Sequence, residues 1–329
     1  MADKGSLQDI KQRIQPILDN VAVEGLRAWL KTIGLSVPRL TRAGVTEHIV
    51  KRVADGELTE SALESALIGF EEASDMRIYL LQMDRDEAKA AGKSLSTRLQ
   101  RYGIPVKQER IFAGHKTRPM SPVYAHLEGN LLRLKWAEEQ TMVKVNAEGT
   151  GIEEKKVEKR AVLIANFGDG KAELRLNPPD NRHSYQDESG RMTADAYYDA
   201  YLQKARDILG CKAEFVELRP VIKRLVEQEE PRLVRIHIDD HTSQKNYKTK
   251  TIGPRADVRD SDDWQLAYKR HGETWAWDAE SFYWLPKASS GFLEREVYTH
   301  INADEGYVKV NADCSNEEVE YVISRIRAR

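Results

Sequence analysis

The spacing of apolar residues changes partway along this chain, and the change limits it to a helical part followed by a strand-rich part. From residue 7 to residue 102, apolar side chains recur at steps of three and four, and strand-like alternation is absent. Ile10, Ile14, Ile17 and Leu18 form one helical stripe. Val23, Leu26, Leu30 and Ile33 form a second, closed by Gly34 as a C-terminal stop. A third helix is expected from Val45 to Val53, ahead of Asp55-Gly56. The segment Thr59 to Met83 places Leu63, Leu67, Phe70, Ile78 and Leu81 on a fourth and fifth helix, and Ser61 with Glu64 has the spacing of a capping box. Residues 1–102 are therefore expected to form a small helical bundle.

A basic linker with Gly and Pro, residues 103–122, marks the boundary. Beyond it, Val123 to Glu128 and Leu131 to Trp136 flank Gly129-Asn130, and Leu132, Leu134 and Trp136 alternate with Arg133 and Lys135. That pattern predicts a hairpin with one buried face. Thr141 to Asn146, Arg160 to Phe167 and Ala172 to Asn177 extend the sheet, Ala194 to Leu209 is a helix, and Ala213 to Leu218 returns to the sheet. A short charged helix ends near Glu230. A third block follows, with strands expected at Leu233 to Asp239, Tyr247 to Ile252, Trp264 to Lys269, Glu296 to Ile301 and Gly306 to Val310, and an amphipathic helix at Asn316 to Arg327. The expected class is α+β: an N-terminal helical bundle, then one or two mixed sheets with packed helices, divided as 1–102, 123–230 and 231–329. A length of 329 residues, 40% of them hydrophobic, suits two or three such domains.

The net charge of −2 excludes bulk attraction to nucleic acid, so the placement of charge matters more than its sum. Between Arg98 and Arg118 six cations (Arg98, Arg101, Lys107, Arg110, Lys116, Arg118) face one acid, Glu109. Between Lys31 and Arg52 five (Lys31, Arg39, Arg42, Lys51, Arg52) face Glu47. From Gln244 to Arg255 four (Lys245, Lys248, Lys250, Arg255) face none. Lys and Arg at a domain junction can follow a phosphate backbone as counterions are released, and the interleaved Tyr102 and Phe112 could stack on bases or anchor the loop. A solvated linker is the alternative reading of the same charges.

Enzymatic signatures are absent: no Gly-x-Ser-x-Gly, Walker or kinase element occurs. Asp239, Asp240, Asp257, Asp260, Asp262 and Asp263 supply carboxylates of the kind a metal-dependent nuclease needs, without paired spacing. His237, His241, His271 and His300 lack ligand spacing, and Cys211 and Cys314 lack that of zinc ligands, so neither a metal nor another cofactor is expected. Gly168-Asp169-Gly170 precedes a strand and reads as a turn. Trp275, Trp277, Phe282, Tyr283 and Trp284 form the densest aromatic run, which either fills a core or forms a partner surface. Residues 1–15 carry no apolar run of signal length and no stretch approaches the ~20 apolar residues of a membrane span, so no membrane partner is expected and an intracellular location is, cytoplasmic in a bacterium or nuclear in a eukaryote.

Leu26-Arg27-Ala28-Trp29-Leu30, Gly34-Leu35 and Gly44 to Val53 resemble the SAP domain, a helix-extended-loop-helix DNA-binding module, with a longer linker and with Thr46 where that family carries Lys. The same residues would equally pack two helices together. Over residues 23–215 the order of parts resembles the centromere protein N family, through Leu58 to Leu63, Tyr79 to Met83 and Leu131 to Ala137. That resemblance implies a pyrin-like helical domain, a basic connection and a sheet domain, with DNA bound between the N-terminal domains and a protein partner at the C-terminal region. The expected function is non-enzymatic binding of nucleic acid, double-stranded DNA ahead of RNA, by a subunit or adaptor. Its contacts would come from Arg39, Arg42, Lys51, Arg52, Arg98, Arg101, Lys107, Arg110, Lys116, Arg118, Lys245, Lys248 and Lys250. A protein-interaction scaffold in genome maintenance or phage defence, and a metal-dependent nuclease, are the alternatives.

Overall fold

A computed structural model describes residues 8–12, 23–35, 41–59, 62–63, 66, 72–73, 76–104, 121–145, 152–178, 194–228, 230–240, 245–251, 255–311 and 314–328. Its class is mixed α+β. After a helical turn at residues 8–12 come helix α1 (Val23–Thr32) and helix α2 (Arg42–Ala54). Thr41 caps α2, its hydroxyl accepting from the Gly44 amide at 3.4 Å. Ile10, Leu26, Leu30, Val45, Ile49, Val50, Leu58 and Leu63 share one core, with Trp29 and Val53 packed at its border. The residues that carry the SAP resemblance are thus also the ones that hold these helices together. Thr59 accepts from the Ala62 amide at 3.1 Å, while Ser61, Glu64, Leu67 and Phe70 lie outside the described residues.

Ile78 and Leu81, expected on a helix, stand instead in strand β1 (Arg77–Met83). A buried apolar run such as Ile-Tyr-Leu-Leu suits a strand covered on both faces as well as a buried helix, and here the pairing decides: β1 is flanked by two other strands. Helices α3 (Arg85–Lys93) and α4 (Leu95–Arg101) follow, then the hairpin of β2 (Ser121–Glu128) and β3 (Leu131–Val145). Gly129, at φ +57°, supplies the left-handed backbone that opens its two-residue turn. Next come β4 (Ile152–Asn166), β5 (Lys171–Leu176), α5 (Ala194–Leu209), β6 (Ala213–Phe215), α6 (Arg219–Glu227), β7 (Arg232–Asp240) and β8 (Lys245–Lys250). The chain continues through α7 (Asp262–His271), β9 (Trp275–Trp284), β10 (Val297–Asn302), β11 (Tyr307–Val310) and α8 (Asn316–Arg327).

Trp264 to Lys269, expected as a strand, is the middle of α7. Trp264, Leu266 and Tyr268 alternate as strand residues do, yet Leu266 is 52% exposed, while Trp264 and Tyr268, four apart, stack at 5.5 Å. Ser261 caps the helix through the Trp264 amide, Asp262 and Asp263 fill its first turn, and Lys269, Arg270 and His271 its last, all favourable to the helix dipole.

The chain divides into two compact units: Met1–Asp75 with Arg219–Ile301 and Lys309–Arg329, and Met76–Leu218 with Asn302–Val308. The first break in chain order falls near residue 75, and α3 and α4 pack on the sheet of the second unit. In the second unit the strands run β2-β3-β4-β5-β1, with β6 also paired to β1. Leu132, Leu134, Trp136, Leu163, Leu174 and Leu81 meet Leu95, Leu99, Tyr197, Tyr201 and Ile208 of the helices in one core. The other sheet face buries Val162 and Ile164 beside a fully buried Arg175, which is ion-paired with Glu173 at 3.1 Å.

In the first unit, the strand order is β10-β9-β7-β8. Val319, Val322, Ile323 and Ile326 of α8 are all buried, as their helical spacing predicts.

Candidate nucleic-acid interface

Alternation along β10 separates the two faces of this sheet: Val297, Thr299 and Ile301 are buried, and Tyr298, His300 and Asn302 are half-buried. The first set faces the helices. There the Trp284 indole donates to Thr299 at 3.0 Å and meets Tyr321 of α8 edge-on, and Trp264 of α7 packs on Trp275 and Trp277. Four of the five residues in the aromatic run (Trp275, Trp277, Phe282, Trp284) are therefore core. Tyr283 is the exception, standing on the opposite face.

That opposite face is assembled by a bulge. On β7 Arg232 lies opposite Tyr283, and Leu233 opposite the buried Phe282; the register then shifts across Val234, so that Arg235 lies opposite Ser281 and His237 opposite Ala279. In a regular, unbulged strand Arg235, two residues on from Leu233, would share its buried side. On the other side of β7, Arg235 pairs with Lys250 and His237 with Lys248. Arg235, Lys248 and Lys250 are exposed, and none has an acidic partner among the described residues. Arg235 and Lys250 are like charges directly opposite each other, an arrangement that costs stability until an anion lies between them.

Toward the middle of the sheet the face becomes aromatic. Tyr283 and Tyr298 meet at 5.3 Å between ring centroids and 61° between planes. The Arg232 guanidinium lies 5.1 Å from the centre of the Tyr283 ring and is held there by both oxygens of Glu296, at 3.2 and 2.7 Å. The Tyr298 hydroxyl donates to Ser281 at 2.9 Å, and Ser281 stands 3.1 Å from His300 Nδ1. Ser281 is fully buried, so this serine-histidine pair orients side chains and presents no nucleophile to a substrate.

The other expected contacts fall into three groups. Arg39, Lys107, Arg110, Lys116 and Arg118 lie outside the described residues, and Lys245 is placed only by its backbone, opposite Asp240 in the β7–β8 register. Arg42 and Lys51 on α2 and Arg101 at the end of α4 are exposed. Arg52 and Arg98 have protein partners, and Arg42, though exposed, also interacts with another group. Arg52 is ion-paired with Glu57 and donates to His48 at 3.4 Å; burial, with Arg52 second, lowers the His48 pKa. Arg98 donates to the carbonyl oxygens of Ile208 and Leu209 at 3.0 Å each, to Ala91 at 2.7 Å and to the Ser94 hydroxyl at 2.6 Å, and burial lowers its pKa. It joins the ends of α3 and α5, satisfying carbonyls that a helix terminus leaves without partners.

Asp257, one of the candidate carboxylates, accepts from the Leu233 amide and from the Arg259 side chain, and Asp262 and Asp263 begin α7. Among the described residues no group of three or more His, Cys, Asp or Glu could hold a metal ion. Cys211 is half-buried and Cys314 buried, and neither is in a disulfide. Among the described residues no helix is long and apolar enough to cross a membrane. Sequence reasoning missed Arg235, Tyr283, Tyr298 and His300 as neighbours; the alternation in Val297-Tyr-Thr-His-Ile-Asn302 held the signal for two of them. Comparison with known proteins leaves this face to be read from its own chemistry, because no family model and no curated protein matches the chain.

Proposed function

We propose that this chain is a non-enzymatic nucleic-acid-binding protein, a subunit or adaptor, and that the β7–β8 edge of its C-terminal sheet makes phosphate contacts. The observation that carries this reading is the co-facial set Arg235, Lys248 and Lys250, three exposed cations without acidic partners among the described residues, two of them opposed as like charges. Lys248 and Lys250 stand two residues apart on one strand, about 7 Å along the edge, so each can meet its own phosphate. In this reading the N-terminal helices form a small bundle that adds Arg42 and Lys51, and Arg101 adds a contact on the second unit. The SAP-like and centromere protein N-like resemblances imply the same class of ligand.

The test is the salt dependence of binding. Each phosphate neutralised contributes about −0.9 to the slope of log K against log salt on B-form DNA. Replacing Arg235, Lys248 and Lys250 by Gln should make that slope shallower by about 2 to 3 on a mixed-sequence duplex. An unchanged slope, or no binding by the wild-type protein at low salt, would remove the basis for this reading.

A further inference from the structure

We infer that the face of the β10-β9-β7-β8 sheet away from the helices is a platform for an unpaired nucleic-acid strand, with bases stacked on Tyr283 and Tyr298 and the backbone carried along Arg235, Lys248 and Lys250. This rests on the nucleic-acid reading above and adds to it the form of the ligand.

A duplex offers phosphates on its outside and hides the faces of its bases; a single strand offers both. Cations alone would therefore fit either, and the aromatic part of the face separates them. Tyr283 and Tyr298 are half-buried on strands whose Trp and Phe side chains are all buried, and their ring centroids are 5.3 Å apart. Three restraints hold them ready. Arg232, fixed by Glu296, covers one side of Tyr283; the Tyr298 hydroxyl is bonded to Ser281; and Ser281 is bonded in turn to His300. A base that stacks here meets rings whose rotamers are already set, so little side-chain entropy is lost on binding.

The cations lie to one side of the rings and not around them. Arg235 on β7 lies directly opposite Ser281 of β9, and Lys250 and Lys248 continue onto the edge strand. A strand crossing the sheet from β10 to β8 would thus place bases first and phosphates second. No carboxylate other than Glu296, already bonded to Arg232, is placed by these contacts on the aromatic part of the face.

The experiment measures fluorescence anisotropy of labelled oligothymidylate and of a mixed-sequence duplex of equal length with wild-type protein, Tyr283→Leu, Tyr298→Leu, the double variant, and Tyr298→Phe. Circular dichroism and melting confirm folding, and the Phe variant keeps the ring while removing only the bond to Ser281. Each Leu variant should weaken single-strand binding about tenfold and the double variant more, with duplex binding changed less than twofold and Tyr298→Phe close to wild type. If folded Leu variants bind both ligands as the wild type does while the Gln variants of Arg235, Lys248 and Lys250 lose affinity, the stacking platform is overturned and the phosphate reading stands. If the wild type binds the duplex but not the single strand, the platform is likewise overturned. If the wild type binds neither, both readings fail together.

Discussion

Arg98 and Arg235 begin with the same guanidinium and end in different environments. Around Arg98 the acceptors are main-chain carbonyls of two helix ends, and Gly210 leaves room for it: a Cβ there would lie 2.6 Å from the guanidinium, at a backbone φ of +67° that already favours glycine. Replacing Arg98 by Ala should lower stability by about 2 kcal/mol, because several helix-end carbonyls lose their donor at once. Replacing it by Lys should recover only part, since one ammonium cannot span the same acceptors. Thermal melts check both, and neither variant should alter nucleic-acid affinity, whereas Arg101→Gln should weaken it. Loss of binding without loss of stability in Arg98→Ala would return Arg98 to the list of phosphate contacts. Charge counting along the sequence could not separate these residues, because what distinguishes them is which acceptors the fold brings near.

Clusters that join several elements set how the second unit responds to pH. Tyr79 of β1, Tyr198 of α5 and Tyr307 at the start of β11 surround Arg77, whose guanidinium lies 4.8 Å from the Tyr198 ring centre and 4.3 Å from that of Tyr307 and is ion-paired with Glu305. Burial, opposed by Arg77, pushes the Tyr198 phenol up to about 12 and raises Tyr79 in the same direction. The folded protein therefore holds these protons more tightly than the unfolded chain, whose phenols titrate near about 10. The stability they support is complete below about pH 10 and is lost as pH rises toward about 12. Melting temperatures across that interval should fall more steeply for the wild type than for Tyr198→Phe, and parallel curves would contradict the assignment. At this scale much of the fold was legible. Leu132, Leu134 and Trp136 announced a buried face, Gly129-Asn130 its turn, and Val319, Val322, Ile323 and Ile326 a helix face. Trp264, Leu266 and Tyr268 misled, because alternation over so few residues fits a strand and also a helix whose middle member is exposed. β1 misled because a run buried on every side has no period to read. The candidate site was legible only in part: Lys248 and Lys250 stood out as charges, but their neighbours Arg235, Tyr283 and Tyr298 are separated from them in sequence and aligned only by pairing and by the bulge at Val234.

Taken whole, the molecule has two compact units whose described cations differ in use, some closing helix ends and ion pairs, others facing outward. The outward set on β8 has a consequence unconnected with ligands. β8 is the last strand of its sheet among the described residues, so one side of its backbone presents amide and carbonyl groups that any extended chain could pair with. Lysines at alternate positions of such a strand repel a second copy laid alongside it, because identical edges bring like charges together. Lys248→Val with Lys250→Val should therefore scatter light increasingly with concentration and time, while Lys248→Glu with Lys250→Glu, repelling copies of itself equally well, should remain clear. The same two side chains would then be guarding the protein against its own kind, and the solubility of the chain would depend on the residues proposed to meet phosphate.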